Sequence, residues 1–238
     1  MIYPHIIEAT FIDRPNRFIA HVHVDGTPDD EVETVHVKNT GRCRELLIPG
    51  CRVVLSDEWI NNPSRKTRYD LITVYKPTLG WINIDSQVPN KVMREWLESG
   101  HESVQKIFSD ITYIKPEYTY GDSRVDFYLE ANDTKVLVEV KGCTLEVDGV
   151  GYFPDAPTER GAKHLRELQG AVAKGFDSYI AFVIAMPGVE RVYPNETTDP
   201  RFAKAFAQAK ASGVKVLFLL CDVFENEIKF KNAVVSDN

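Results

Sequence analysis

Up to about residue 76 the chain alternates short apolar runs with turn residues, and the runs are strand-sized: 6–12, 18–24, 32–38, 52–55 and 69–75. His21-Val22-His23-Val24 and Thr34-Val35-His36-Val37 place valines on one face and polar residues on the other. His21, His23 and His36 are therefore outward strand residues; a metal site there would need further ligands brought in by folding. Between the third and fourth strands, 42–48 has room for one helical turn or two before Pro49-Gly50 stops it. Asn39-Thr40-Gly41 and Pro49-Gly50 read as turns. Five strands with a short helix in that position predict an OB-type barrel.

From Gly80 the spacing changes. Val92, Met93, Trp96 and Leu97 recur at helical intervals over 90–99, and Leu165, Leu168 and Val172 share a face over 158–174. Asp199-Pro200 opens a third helix that carries Phe202 and Phe206 and stops at Gly213. The runs 179–184 and 214–220 are almost continuously apolar, as buried parallel strands are. The pattern predicts two domains, an OB-type barrel over 1–80, a fold whose usual ligands are oligonucleotides or oligosaccharides and which reads here as nucleic-acid-binding, and an α/β domain with a mixed sheet over 81–238.

Two further segments form a hairpin. Val125, Phe127 and Leu129 alternate against Asp126, and Val136, Val138 and Val140 alternate against Glu139 and Lys141. A turn centred on Asn132-Asp133 sets Asp126 opposite Glu139, where Cβ atoms lie about 4.5–5.5 Å apart and like charges repel. A divalent cation, Mg²⁺ or Mn²⁺, would offset that repulsion, with Lys141 placed to hold or deprotonate a water. The valine face calls for cover on its own side. The next helix carries Arg160, Lys163, His164 and Glu167 on one face, which offers Lys163 or His164 to a phosphate, although Glu159 and Lys163 equally suit a surface i,i+4 pair. Asp155 or Thr158 is placed to cap that helix.

Composition narrows the function classes. With 43% hydrophobic and 26% charged residues the 238-residue chain can bury a sizeable core, and no run is long enough to span a membrane. The start has no basic segment followed by an apolar run, which places the protein in the cytoplasm. Cys43, Cys51, Cys143 and Cys221 form no C-x-x-C pair and read as ordinary thiols. A net charge of −7 argues against a protein that simply coats nucleic acid, yet leaves room for a local basic groove at Arg42, Arg44 and Arg52 or at Arg65-Lys66-Thr67-Arg68. Trp59 and Tyr69 are available for base stacking, with core packing the better reading of Trp59.

Asp126 with Glu139-Val140-Lys141 resembles the core of PD-(D/E)-x-K nucleases. Over nearly its whole length the chain also resembles the sugar fermentation stimulation protein A (SfsA) family. The matching blocks include Arg14-Pro15-Asn16-Arg17-Phe18, Glu45-Leu46-Leu47-Ile48-Pro49-Gly50, Ser123-Arg124-Val125-Asp126-Phe127, Val138-Glu139-Val140-Lys141-Gly142-Cys143 and Phe153-Pro154-Asp155-Ala156-Pro157-Thr158-Glu159-Arg160-Gly161. This resemblance implies an OB-like N-terminal domain, a nuclease-like C-terminal domain and DNA as partner. Asp126 and Glu139 would then hold Mg²⁺ or Mn²⁺ with the Val140 carbonyl. Lys141 would orient water and Lys163 would serve beside it in catalysis. Arg42, Arg44, Arg65, Lys66, Arg124, Arg160 and His164 would contact DNA. Nucleases of this kind often add an acid from an early helix, for which Glu95, Glu98, Glu102 and the strand residue Glu117 are candidates; Asp155 is another candidate ligand. The alternatives are a non-catalytic DNA-binding regulator of sugar metabolism genes and a sugar-binding barrel. Oligomeric state stays open, a homodimer included.

Overall fold

The computed structural model describes residues 1–28, 30–39 and 41–236; Thr40, within one of the expected turns, lies outside them. Two compact units form. The first holds Met1–Val88 with Ala185–Gly188 and Cys221–Lys229; the second holds Pro89–Ile184, Val189–Leu220 and the chain from Phe230 onward.

The first unit contains β1 (Ile6–Asp13), β2 (Ile19–Val24), β3 (Glu33–Val37), β4 (Arg52–Asp57), β5 (Tyr69–Lys76) and β6 (Gly80–Asn83). Antiparallel pairs join β3 to β2, β2 to β1, β1 to β4 and β4 to β5. A short parallel pairing, His36 with Asp70 and Val37 with Leu71, ties β3 to β5. Five strands thereby close into a ring, the OB topology, and closure removes the sheet edges. Ala20, Val22, Val24, Val35 and Val37 fill the interior, while His21, His23 and His36 face outward as their alternation predicts. The 42–48 segment makes one turn rather than a helix. Its Leu46 and Leu47 N–H groups both donate to the Cys43 carbonyl, at 3.2 and 2.9 Å, and the chain leaves at Gly50 with φ of +87°. One turn returns too little hydrogen bonding to extend. Residues from far along the chain complete this unit: the Met1 amino group donates to the Ile228 carbonyl and the Tyr3 N–H to that of Asn226, both at 2.8 Å.

The second unit runs α1 (Val88–Glu98), α2 (Glu102–Phe108), β7 (Ile111–Tyr120), β8 (Ser123–Ala131), β9 (Thr134–Cys143), β10 (Leu145–Val147), β11 (Val150–Phe153), α3 (Glu159–Val172), β12 (Asp177–Ile184), β13 (Val192–Pro194), α4 (Pro200–Ala211), β14 (Lys215–Val223) and β15 (Ile228–Val235). Its main sheet has the order β15-β14-β12-β9-β8-β7. Strands β7, β8 and β9 are antiparallel, and β9, β12 and β14 are parallel, so the sheet is mixed. Parallel neighbours need crossover connections, which α3 and α4 supply. A smaller sheet joins β10, β11 and β13.

Buried Asp199 organises the two crossover helices. Its Oδ1 accepts the Phe202 N–H at 3.0 Å and caps α4, and its Oδ2 accepts the Thr158 N–H at 2.8 Å. Thr158 in turn caps α3, its Oγ1 accepting from the Gly161 N–H at 3.0 Å. Phe153, Phe182 and Phe202 pack beneath them with ring centroids 5.1 and 5.6 Å apart. All four cysteines are free. No helix of the described residues is long and apolar enough to cross a membrane.

Candidate acidic site on the central strand

The hairpin turn is built from two residues with positive φ, Asn132 at 46° and Asp133 at 59°, the geometry of a two-residue type I′ connection. It sets the register that pairs Ala131 with Thr134 and continues to Phe127 with Val138. Asp126 and Glu139 come next, just beyond the paired stretch. Strand β9 lies between β8 and β12, and α3 packs over it, so cover extends to both faces rather than to the valine side alone. Glu139 is consequently only 2% exposed.

Donors are distributed unevenly over the two carboxylates. Asp126 accepts from the Val140 N–H at 2.7 Å on Oδ2 and from the Asn90 side-chain amide at 2.9 Å on Oδ1. Glu139 receives both Lys141 Nζ and His164 Nδ1 on Oε1, while its buried Oε2 has no hydrogen-bond partner. The Arg160 Nε–H donates to His164 Nε2 at 3.2 Å, so that ring nitrogen is the acceptor and Nδ1 carries the hydrogen. Burial raises the Asp126 pKa, and the neighbouring Glu139 charge raises it further. Burial would raise Glu139 as well, but the His164 hydrogen bond and the Lys141 charge outweigh it and hold the value below normal. The pair is thus pushed in opposite directions, the arrangement that separates roles between two acids.

The structure brings together Asp126, Glu139, Val140, Lys141, Arg160 and His164. His164, expected at a phosphate, is buried and turned onto Glu139. Lys163 is half exposed and lies 3.5 Å from Glu167, whose Oε1 also accepts from the Ser123 hydroxyl. Arg124 is exposed and pairs with Glu117 at 3.1 Å. In the first unit Arg65 is spent on buried Asp70, with Glu58 at 3.7 Å, and Arg42, Arg44 and Lys66 are exposed. Glu98 and Glu102 form surface pairs with Arg94 and Lys106.

Trp59 corrects an expectation. It is 43% exposed rather than packed in the core, because it sits on the β4–β5 connection with its indole N–H donating to the Arg65 carbonyl at 3.2 Å. Tyr69 is buried. Sequence reasoning missed Asn90. The available signal was an amide on the same helical stripe as Met93 and Leu97. Among the described residues no group of three or more His, Cys, Asp or Glu side chains is placed to hold a metal ion.

Residues 12–84 match the family described as "SfsA N-terminal OB domain", and residues 87–227 match "Sugar fermentation stimulation protein RE domain". A sugar fermentation stimulation protein homolog of Desulfitobacterium hafniense is 52% identical over 229 residues, covering 96% of this chain and 95% of its own. One from Ruminiclostridium cellulolyticum is 47% identical over 234 residues, covering 98% of each. Among solved structures, Pyrococcus furiosus SfsA in complex with Ca²⁺ superposes with a TM-score of 0.84 at 26% identity, covering 98% of this chain and 96% of that one.

Proposed function

This chain belongs to the sugar fermentation stimulation protein family, and we propose that its second unit carries a Mg²⁺- or Mn²⁺-dependent phosphodiesterase site acting on DNA. One observation carries the reading: a buried carboxylate oxygen, Glu139 Oε2, has no donor and lies on the residue whose charge perturbs Asp126. Buried polar atoms left without partners are rare, and an anionic one beside a second carboxylate suits a hard cation. Asp126, Glu139 and the Val140 carbonyl would hold it. Mg²⁺ needs only one or two carboxylates, since waters and phosphate oxygens complete its shell. The Ca²⁺ complex of the Pyrococcus furiosus relative supports an oxygen-seeking cation, and the Asp126, Glu139, Lys141 set accords with a PD-(D/E)-x-K core.

When bound, the metal supplies Lewis-acid polarisation and a more acidic water. The chain's own residues supply the rest. Asn90 and the Val140 N–H fix Asp126, while Lys141 and His164 grip one oxygen of Glu139 and leave the other presented. Lys141 orients the attacking water, and Arg160 and Lys163 offset charge on the phosphate. The barrel contributes DNA contact. Four free thiols suit a reducing cytoplasm.

The test is titration calorimetry with Mg²⁺ and Mn²⁺ on wild type and Asp126→Ala, with and without a short duplex, followed by analysis of the recovered DNA. Metal uptake and cleavage should both disappear in the variant. DNA binding that persists in EDTA, without metal uptake or cuts by wild type, would replace the nuclease with the non-catalytic regulator.

A further inference from the structure

The β1–β2 loop of the barrel is held more firmly than a connection requires. The Arg14 guanidinium donates to four backbone carbonyls, those of Arg17, Asn39, Gly41 and Arg42, at 2.7–2.9 Å. Asn16 Oδ1 accepts from the N–H groups of Phe18 and Ile19 at 2.9 and 3.1 Å, and the Phe18 carbonyl accepts from the Val37 N–H at 2.8 Å. All this order positions a ring that packs little: Phe18 is 51% exposed and stacks on no other aromatic among the described residues. A large apolar side chain on a pre-organised platform is a feature of binding surfaces.

Phe18 borders a cleft of about 440 Å³, lined also by His36, Lys38, Arg65, Asp70 and Gln87. Buried Asp70 is saturated there. Its carboxylate takes both Arg65 terminal nitrogens and His36 Nδ1, with Lys38 at 3.8 Å. It has little left to accept sugar hydroxyls. His36 keeps Nε2 available, and the exposed Gln87 amide has no partner among the described residues, so the cleft offers an imidazole nitrogen and an amide beside an aromatic face. Arg17 and Lys66, adjacent in the chain to Phe18 and Arg65, are exposed cations without an ion pair among the described residues. The β2–β3 face and the β4–β5 connection are also where OB barrels take oligonucleotides.

We propose that this cleft captures one unpaired nucleobase stacked on Phe18, with Arg17 and Lys66 on the flanking phosphates; the proposal rests on the DNA contact inferred above and makes the barrel a single-strand reader. A base inside a duplex has its faces occupied by its neighbours and cannot offer one to Phe18.

The test uses the full chain in EDTA, which removes metal chemistry from the readout. It compares a short oligothymidylate, a matched duplex and a single strand carrying a fluorescent purine analogue. Wild type should prefer single strands and quench the analogue. Phe18→Ala should weaken single-strand binding by about tenfold and abolish quenching, and Phe18→Trp should restore both. Unchanged affinity in Phe18→Ala overturns the cleft alone and leaves DNA contact standing. Equal binding of duplex, or competition by a malto-oligosaccharide, also overturns it. A wild type that binds neither strand form overturns the cleft and the DNA reading together.

Discussion

His164 donates through Nδ1 to one oxygen of Glu139, and the other oxygen of that carboxylate, though buried, receives nothing. The contact spans strand β9 and helix α3, so it ties the crossover helix to the acidic pair. His164→Ala should cost about 1–3 kcal/mol, the range for a buried hydrogen bond lost from a charged acceptor. Urea unfolding of the two proteins checks this. A variant as stable as wild type would show that Lys141 alone satisfies Glu139.

Asp126 should oppose folding at neutral pH when no metal is present. Its folded pKa lies above the ordinary 3.8 because burial, and then the Glu139 charge, disfavour the carboxylate. Well below 3.8 the group is protonated in both states and contributes nothing; as pH rises through the folded value, ionisation costs the folded state and stability falls. Asp126→Asn should therefore gain on wild type in EDTA as pH rises above the ordinary carboxylate value of 3.8. Its amide still satisfies Val140 and, after a flip of Asn90, that residue too. A stability difference constant with pH would refute the shift.

Asp199 should behave in the opposite sense. Burial works against its ionisation, but the N–H groups of Thr158 and Phe202 more than offset it, and the pKa is lowered. The resulting stability is present above the unfolded value near 3.8 and is lost as pH falls through the lower folded value. Asp199→Asn can accept only one of the two N–H groups at a time and should cost about 1–3 kcal/mol at neutral pH. Acid titration monitored by circular dichroism should show the gap between variant and wild type closing at low pH.

Gly142→Ala should disturb the site from outside it. A Cβ there would lie 2.8 Å from Cγ of Pro89, a ring that has no rotamer to yield, so the first turn of α1 must shift. Asn90 follows immediately in the chain and carries the amide bound to Asp126. The expected cost is about 1–3 kcal/mol together with weaker metal uptake. Calorimetry on a variant with wild-type uptake would separate the helix from the site.

Local chemistry made the hairpin legible. Asn132-Asp133 suits a turn with positive φ, and the alternation of valines fixes which residues share a face, so the register from Ala131 with Thr134 to Phe127 with Val138 follows from sequence. The barrel strands were legible for the same reason, since the His-Val alternation has only one half-buried reading. Strands β6, β10, β11 and β13 were not, because three or four residues carry too little period. β7 was hidden by its exposure: Thr112, Tyr113, Lys115 and Glu117 follow no alternation. The partners of Glu139 depend on where α3 comes to lie over β9, a long-range outcome that no spacing encodes. Trp59 was misread because aromatic residues are usually buried, whereas this one is held outside by its indole hydrogen bond to the Arg65 carbonyl, its backbone N–H bond to Asp57 and the Arg68 guanidinium over its ring.

The first unit needs Ile228 and Asn226 to receive the Met1 amino group and the Tyr3 N–H. During synthesis its five ring strands leave the ribosome long before those acceptors exist. The nascent barrel must wait with its opening residues unpaired until the β14–β15 connection has emerged, so the first residues to be made are among the last to find their partners.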